Sequence, residues 1–152
     1  GCGVTVKDYA RILADDPEYA ERSKVLSAKT YDISEYLSQA NLPLTAKQPG
    51  QTIAWHPPCS LQHGQKITGV VEGLLQNAGY TLVPVADSHL CCGSAGTYSV
   101  LQHERGEALK QLKLVNLLAA GPQVIVTANV GCQSHLATGT SRPVLHWIEM
   151  LK

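Results

Sequence analysis

The residues in this chain that could do chemistry are its thiols. There are five cysteines: Cys2, Cys59, Cys91, Cys92 and Cys132. An odd number argues against a secreted disulfide framework. A hydrophobic content of 44% is also too core-rich for a stapled mini-protein. Thiols held for metal or redox chemistry fit better. One such cysteine reads as a small buried hydrophobe. Four of them at the ends of successive strands do not. His56-Pro57-Pro58-Cys59 is a rigid turn, Cys91-Cys92-Gly93 a vicinal pair before a flexible residue, and Asn129-Val130-Gly131-Cys132 a turn into a helix. Thiolates bind soft or borderline metals, and helix N-termini lower thiol pKa values. Cys59, Cys92 and Cys132 all fall near expected helix starts, where backbone N–H groups offset thiolate charge.

Neighbouring cysteines project in different directions. A single metal ion would struggle to use Cys91 and Cys92 together in tetrahedral geometry. A cluster of several irons can take them on different iron atoms. This favours an iron–sulfur cluster, with zinc on three cysteines and a histidine as the alternative. A vicinal Cys91–Cys92 disulfide is a third arrangement, and would be a redox switch rather than a staple. Of the six histidines, His56 and His135 are nearest these cysteines in sequence. His135 follows Cys132 by three residues, so the two share one side of a helix turn. It could ligate a metal or hydrogen-bond a sulfur. His63, His89, His103 and His146 read as surface or packing residues. No G-x-G-x-x-G phosphate loop is present. Gly93-Ser94-Ala95-Gly96 follows a strand and opens a helix, a weak signal for a nucleotide site.

Strands and helices must position these residues. Thr52–His56, Thr81–Val85, Val124–Thr127 and Val144–Leu145 read as strands. Helical periodicity runs over residues 65–78 and 97–119, with Leu101, Leu109, Leu112, Val115 and Leu118 as expected core contacts. Gly64, Gly69 and Gly73 are expected to let a helix pack closely on the sheet. A short helix should follow Cys132, and a last helix should end at Lys152. The alternation predicts an α/β fold: a parallel sheet of about four strands with helices on both faces. Ligands in such sheets sit outside the carboxyl ends of the strands. Cys59, Cys91-Cys92 and Cys132 each follow a strand, so three loops should converge on one sheet edge.

The organisation expected is a helical segment, residues 1–49, then the α/β domain, residues 50–152. Asp16-Pro17 carries a helix-start signal, and Asp32 with Glu35 has capping-box spacing. Residues 41–50 hold two prolines and a glycine without apolar periodicity, which marks the boundary. Lys plus Arg and Asp plus Glu number 12 each. Zero net charge gives no reason to expect nucleic acid as a partner. Charged residues are 16%, low enough that a partner should cover part of the surface. No apolar run approaches the ~20 residues of a membrane-spanning helix. The chain opens at Gly1 without methionine and reads as a fragment or processed piece.

Over residues 50–152, the separated Cys59…Cys91-Cys92-Gly93…Cys132 pattern resembles the cysteine-rich CCG domain family. That family includes the B subunit of heterodisulfide reductase and the iron–sulfur subunits of several flavin-linked dehydrogenases. His56-Pro57-Pro58-Cys59, Cys91-Cys92-Gly93-Ser94-Ala95-Gly96 and Asn129 to His135 are most similar to the iron–sulfur subunits of bacterial glycolate oxidases. Gly1-Cys2-Gly3 resembles the closing motif of an upstream CCG module, so Cys2 is not expected to serve the same site. The resemblance implies a cluster of 4Fe-4S type on Cys59, Cys91, Cys92 and Cys132. It implies an electron-transfer subunit, not catalytic alone, in a complex oxidising glycolate to glyoxylate. Flavin-containing subunits would remove the hydride, and electrons would pass towards a quinone or another downstream acceptor. The complex would be cytoplasmic and peripheral at the inner membrane. Two features depart from the family pattern. The final C-x-x-C is Cys132-Gln133-Ser134-His135 here, which makes His135 a candidate cofactor-binding residue. The C-x₂-C-x₂-C-x₃-C-P runs of ordinary ferredoxin clusters are absent.

Overall fold

A computed structural model describes residues 2–40 and 42–152. Gly1, in the Gly1-Cys2-Gly3 motif, and Asn41, at the head of the expected boundary, lie outside the described residues. Four strands form one parallel sheet: β1 (Thr52–His56), β2 (Thr81–Leu82), β3 (Val124–Thr127) and β4 (Val144–His146), in the order β2-β1-β3-β4. The register pairs Ile53 with Val124 and His56 with Thr127. The two central strands are apolar along most of their length because both of their faces are covered. Residues 53–56 and 124–127 are all buried.

Side chains alternate between the two faces along each strand, and the core divides accordingly. Ile53, Trp55, Val124 and Val126 pack with Leu37, Val71, Leu75 and Trp147 on one face. Ala54 and Ile125 pack with Leu114, Leu117, Leu136, Cys92 and Cys132 on the other. The first face is covered by α4 (Ile33–Ala40) and α5 (Val70–Ala78), the second by α7 (His103–Leu118) and α8 (Val130–Ala137).

The preceding helices are α1 (Cys2–Lys7), α2 (Tyr9–Ile12) and α3 (Ala20–Ala28). Asp16 Oδ1 accepts from the Glu18 and Tyr19 amides at the entry to α3. At α4 Asp32 and Glu35 cap the helix start as the sequence suggests, with Asp32 bonding the second amide of the helix rather than the third. Asp32 Oδ1 accepts from the Ser34 amide, and Glu35 Oε2 accepts from the Asp32 amide. Residues 42–50 do not hang free. Thr45 and Lys152 exchange two backbone hydrogen bonds of 3.0 Å, and the Lys47 amide donates to the Met150 carbonyl.

Several elements differ from expectation. The strand expected over 81–85 ends at Leu82. The Val83 amide still donates to the Ile53 carbonyl, but Pro84 has no N–H to continue the ladder. The helix expected from residue 65 starts at Val70, because Lys66 (φ 59°) and Gly69 (φ 77°) are left-handed. The 97–119 helix is two helices, α6 (Tyr98–Leu101) and α7, broken at Gln102. The final helix is a 3₁₀ turn over Trp147–Met150. Of Gly64, Gly69 and Gly73, only Gly64 makes a close approach, to Val4 on α1 rather than to the sheet. Gly69 and Gly73 face open space.

The largest correction concerns α6 and α7. Leu101 is 76% and Val115 67% exposed, and Leu112 is also exposed. The buried stripe is Gly106, Lys110, Lys113, Leu114 and Leu117. Two lysines sit inside because each has partners there. Lys110 Nζ donates to Glu107 and Thr138, and Lys113 Nζ donates to the Asp87 and Ser88 carbonyls. Satisfied in this way, a lysine can occupy a face that its charge would otherwise keep in water.

Candidate metal centre

Pro57 and Pro58 end β1 and place Cys59 at the head of a π-helical turn over Ser60–Gly64. The Pro58 carbonyl accepts from the Leu61 and Gln62 amides, which closes that turn. Cys132 lies in the first turn of α8. Asn129 caps this helix, its Oδ1 accepting from the Gly131 amide at 2.8 Å and the Cys132 amide at 3.4 Å. The other end of the same side chain reaches the first cysteine loop, with Asn129 Nδ2 donating to Ser60 Oγ.

Cys91 and Cys92 enter from the connection after β2. Cys92 is not at a helix start, because Gly93, Ala95 and Gly96 all have positive φ and α6 opens only at Tyr98. The Gly93 amide donates to Cys91 Sγ at 3.3 Å. Gly93 is required on two counts. Its φ is +87°, and a Cβ there would lie 2.2 Å from the Gly106 carbonyl oxygen. The vicinal pair is therefore seated directly on α7.

The three loops bring Cys59, Cys91, Cys92 and Cys132 to the wall of one cavity of about 490 Å³. The thiols follow one another in a chain, Cys59 to Cys91 to Cys92 to Cys132. All are free, Cys91 and Cys92 included. Cys2 is exposed on α1 and is not part of the cavity wall. His135 is half-buried on α8, with Nε2 3.4 Å from the Gly106 carbonyl oxygen.

Two residues that the sequence did not assign to the site, His56 although it lies near the cysteines in sequence, complete the surroundings. His56 is fully enclosed, and neither ring nitrogen has a hydrogen-bond partner among the described residues. A ring nitrogen of His56 and the sulfurs of Cys92 and Cys132 lie within 4.8 Å of one another. Period-two alternation puts His56 on the face of Ala54, but only the packing reveals that this face carries the sulfurs. Lys113 is 0% exposed, and its charge acts on Cys92, Cys59 and Cys91. Its signal in the sequence is position alone, beside Leu114 and four residues before Leu117.

The electrostatics follow from burial and crowding. Interaction with Cys132 pushes the Cys92 thiol up to about 11. The neighbouring Cys92 and burial push Cys91 up, and burial followed by Cys91 does the same to Cys59. Burial, with the Lys113 charge second, lowers His56 to about 3. Burial also lowers Lys113, while the thiols act in the opposite direction. Cys59, Cys91 and Cys92 are thus held as thiols that give up their protons when a metal binds, while neutral His56 can bind through a ring lone pair without losing one. Sulfur with imidazole is a donor set for iron or zinc rather than for magnesium or calcium.

Residues 53–137, more than half of the chain, match the family model described as CCG, a cysteine-rich domain. The glycolate oxidase iron–sulfur subunit of Escherichia coli (strain K12) is 43% identical over all of this chain and 37% of its own length. The lactate utilization protein A of an Exiguobacterium species is 28% identical over 99% of the chain and 64% of its own length. A probable glycolate oxidase iron–sulfur subunit of Bacillus subtilis (strain 168) is 30% identical over 93% of the chain and 33% of its own length. The chain thus spans about a third of the glycolate oxidase subunits and just under two thirds of the lactate utilization protein. With its cysteines on three strand-end loops around one cavity, this chain belongs to the cysteine-rich CCG domain family.

Proposed function

We propose that this chain forms the CCG portion of an iron–sulfur electron-transfer subunit, in a complex that oxidises glycolate to glyoxylate. The observation that carries the reading is the convergence of Cys59, Cys91, Cys92 and Cys132 on one cavity. The similarity to a glycolate oxidase iron–sulfur subunit over the whole chain supports the substrate class. The donors fit the group: four thiols and an unpartnered buried imidazole, with a buried lysine to offset thiolate charge. Cys59, Cys91, Cys92 and Cys132 would hold a cluster of 4Fe-4S type. His135 is the candidate for a further position or for hydrogen bonding near the sulfurs. When bound, such a cluster supplies one-electron transfer.

The residues of this chain do the rest. Cys91 and Cys92 both line the cavity, while Gly93 lets their loop rest on α7. Asn129 holds the Cys132 and Cys59 loops together. In the complex, flavin-containing subunits take the hydride from glycolate, and electrons continue towards a quinone or another acceptor. Membrane association is peripheral, at the cytoplasmic face of the inner membrane, and comes through the complex. No helix among the described residues is long and apolar enough to cross a membrane.

A second reading has one observation in its favour. His56, Cys92 and Cys132 form a compact buried trio of the kind that holds a single zinc. The chain would then be a docking module without redox function. Metal analysis of the full-length protein purified without oxygen separates the two. A brown protein with iron and acid-labile sulfide, lost in Cys92→Ser, supports the cluster. A colourless protein with one zinc overturns it in favour of the docking module.

A further inference from the structure

The imidazole of His56 is placed where no structural role accounts for it. Strand β1 ends at this residue, and the two prolines that follow fix the direction in which the chain leaves the sheet. The ring is 0% exposed, yet neither Nδ1 nor Nε2 finds a partner among the described residues. A neutral imidazole offers one donor and one acceptor. Natively buried polar groups are nearly always satisfied, and an exception asks for an unrecorded ion or water. Here the exception faces two sulfurs, Cys92 Sγ and Cys132 Sγ, with all three candidate ligand atoms within 4.8 Å of one another. In a cluster of 4Fe-4S type each iron is bonded to sulfides and has room for one protein ligand, so the three side chains would serve neighbouring irons.

His135 lacks this combination. It is half-buried, and its Nε2 lies 3.4 Å from the Gly106 carbonyl oxygen. It is not part of the buried trio. The nearby cation, Lys113, is committed to the Asp87 and Ser88 carbonyls and leaves the imidazole free.

We infer that His56 is a nitrogen ligand of the metal centre, binding beside Cys92 and Cys132 as the last residue of β1. This rests on the cluster reading above and amends its ligand set, with His56 taking the place of one of the four thiolates. An imidazole in place of a thiolate removes one negative charge from the centre, which raises its reduction potential.

The test uses the full-length protein, purified without oxygen, with histidine labelled by ¹⁵N or left as ¹⁴N. Iron and acid-labile sulfide are measured first, and their absence overturns both the cluster reading and this inference. With a cluster present, pulsed EPR of its paramagnetic state should show a nitrogen hyperfine coupling that changes with the label. That coupling should survive His135→Ala and vanish in His56→Gln. If His56→Gln does not fold, retention of the coupling in His135→Ala carries the assignment, because only His56 lies with the sulfurs. A cluster without label-sensitive coupling in the wild-type protein overturns the inference and leaves the cluster reading intact. So does a coupling lost in His135→Ala, or one that survives His56→Gln.

Discussion

Gly93 and Gly106 meet backbone to backbone. A Cβ on Gly93 would fall 2.2 Å from the Gly106 carbonyl oxygen, and one on Gly106 would fall 3.3 Å from the Gly93 carbonyl oxygen. The loop carrying Cys91 and Cys92 therefore sits at a distance from α7 that no side chain could share.

Gly93→Ala should be among the most damaging single changes. It adds a left-handed alanine, at φ +87°, to a collision with rigid backbone. A loss of about 2–4 kcal/mol is expected, in the range of backbone strain combined with overpacking. Denaturant unfolding of the metal-free protein measures it, and metal content should fall with it. Gly106→Ala should be milder, because its nearest atom is 3.2 Å away.

Lys113→Met keeps an apolar stem of similar length and removes the charge. The Asp87 and Ser88 carbonyls lose their donor, and the cysteines lose the cation that offsets thiolate charge. A unit charge on the order of 10 Å away at an effective dielectric near 20 is worth about 1–2 kcal/mol. Redox titration of the loaded protein should therefore give a potential lower by tens of millivolts. An unchanged potential would mean that solvent already screens this charge.

The metal-free protein should be most stable between about pH 6.5 and 9. Cys92 is pushed up to about 11 from an ordinary value of 9.0, and Cys59 and Cys91 are raised as well. The folded state thus favours their protonated forms. That contribution is complete below pH 9 and fades as pH rises towards 11. His56 is lowered from 6.5 to about 3, so its contribution is present above pH 6.5 and is lost as pH falls. Melting temperatures across this range check both limbs. Metal loading should release protons, read directly in a weakly buffered solution.

Asn129→Ala removes the cap of α8 and the bridge to Ser60. Loss of an N-cap costs about 0.5–2 kcal/mol. Because Cys132 is in that first turn, iron retention should fall more than global stability does. Asn129→Asp keeps the capping oxygen and should restore stability, with Ser60 Oγ–H donating to the second carboxylate oxygen where the amide had donated to it.

By itself the sequence determined the alternation of elements and the address of the thiols. Apolar runs with turn residues after them delimit β1 and β3. Each cysteine loop follows a strand, so parallel order alone puts Cys59, Cys91, Cys92 and Cys132 at one sheet edge. Capping residues such as Asp32 and Asn129 act within a few positions of the chain, and local rules suffice for them. Tertiary structure decided which sides face inward. Leu101, which ends α6, is exposed, and the apolar spacing of Leu112 and Val115 belongs to the outer face of α7. The inner face is set by the approach of Gly93 to Gly106 and by carbonyls from 87–88 that accept from Lys113. His56 is likewise an ordinary last residue of a strand until α7, α8 and the Cys91-Cys92 loop enclose it beside two sulfurs. A helix or strand pattern records only the period of a surface. Which surface is buried, and which polar groups find partners there, depends on residues far away in the chain.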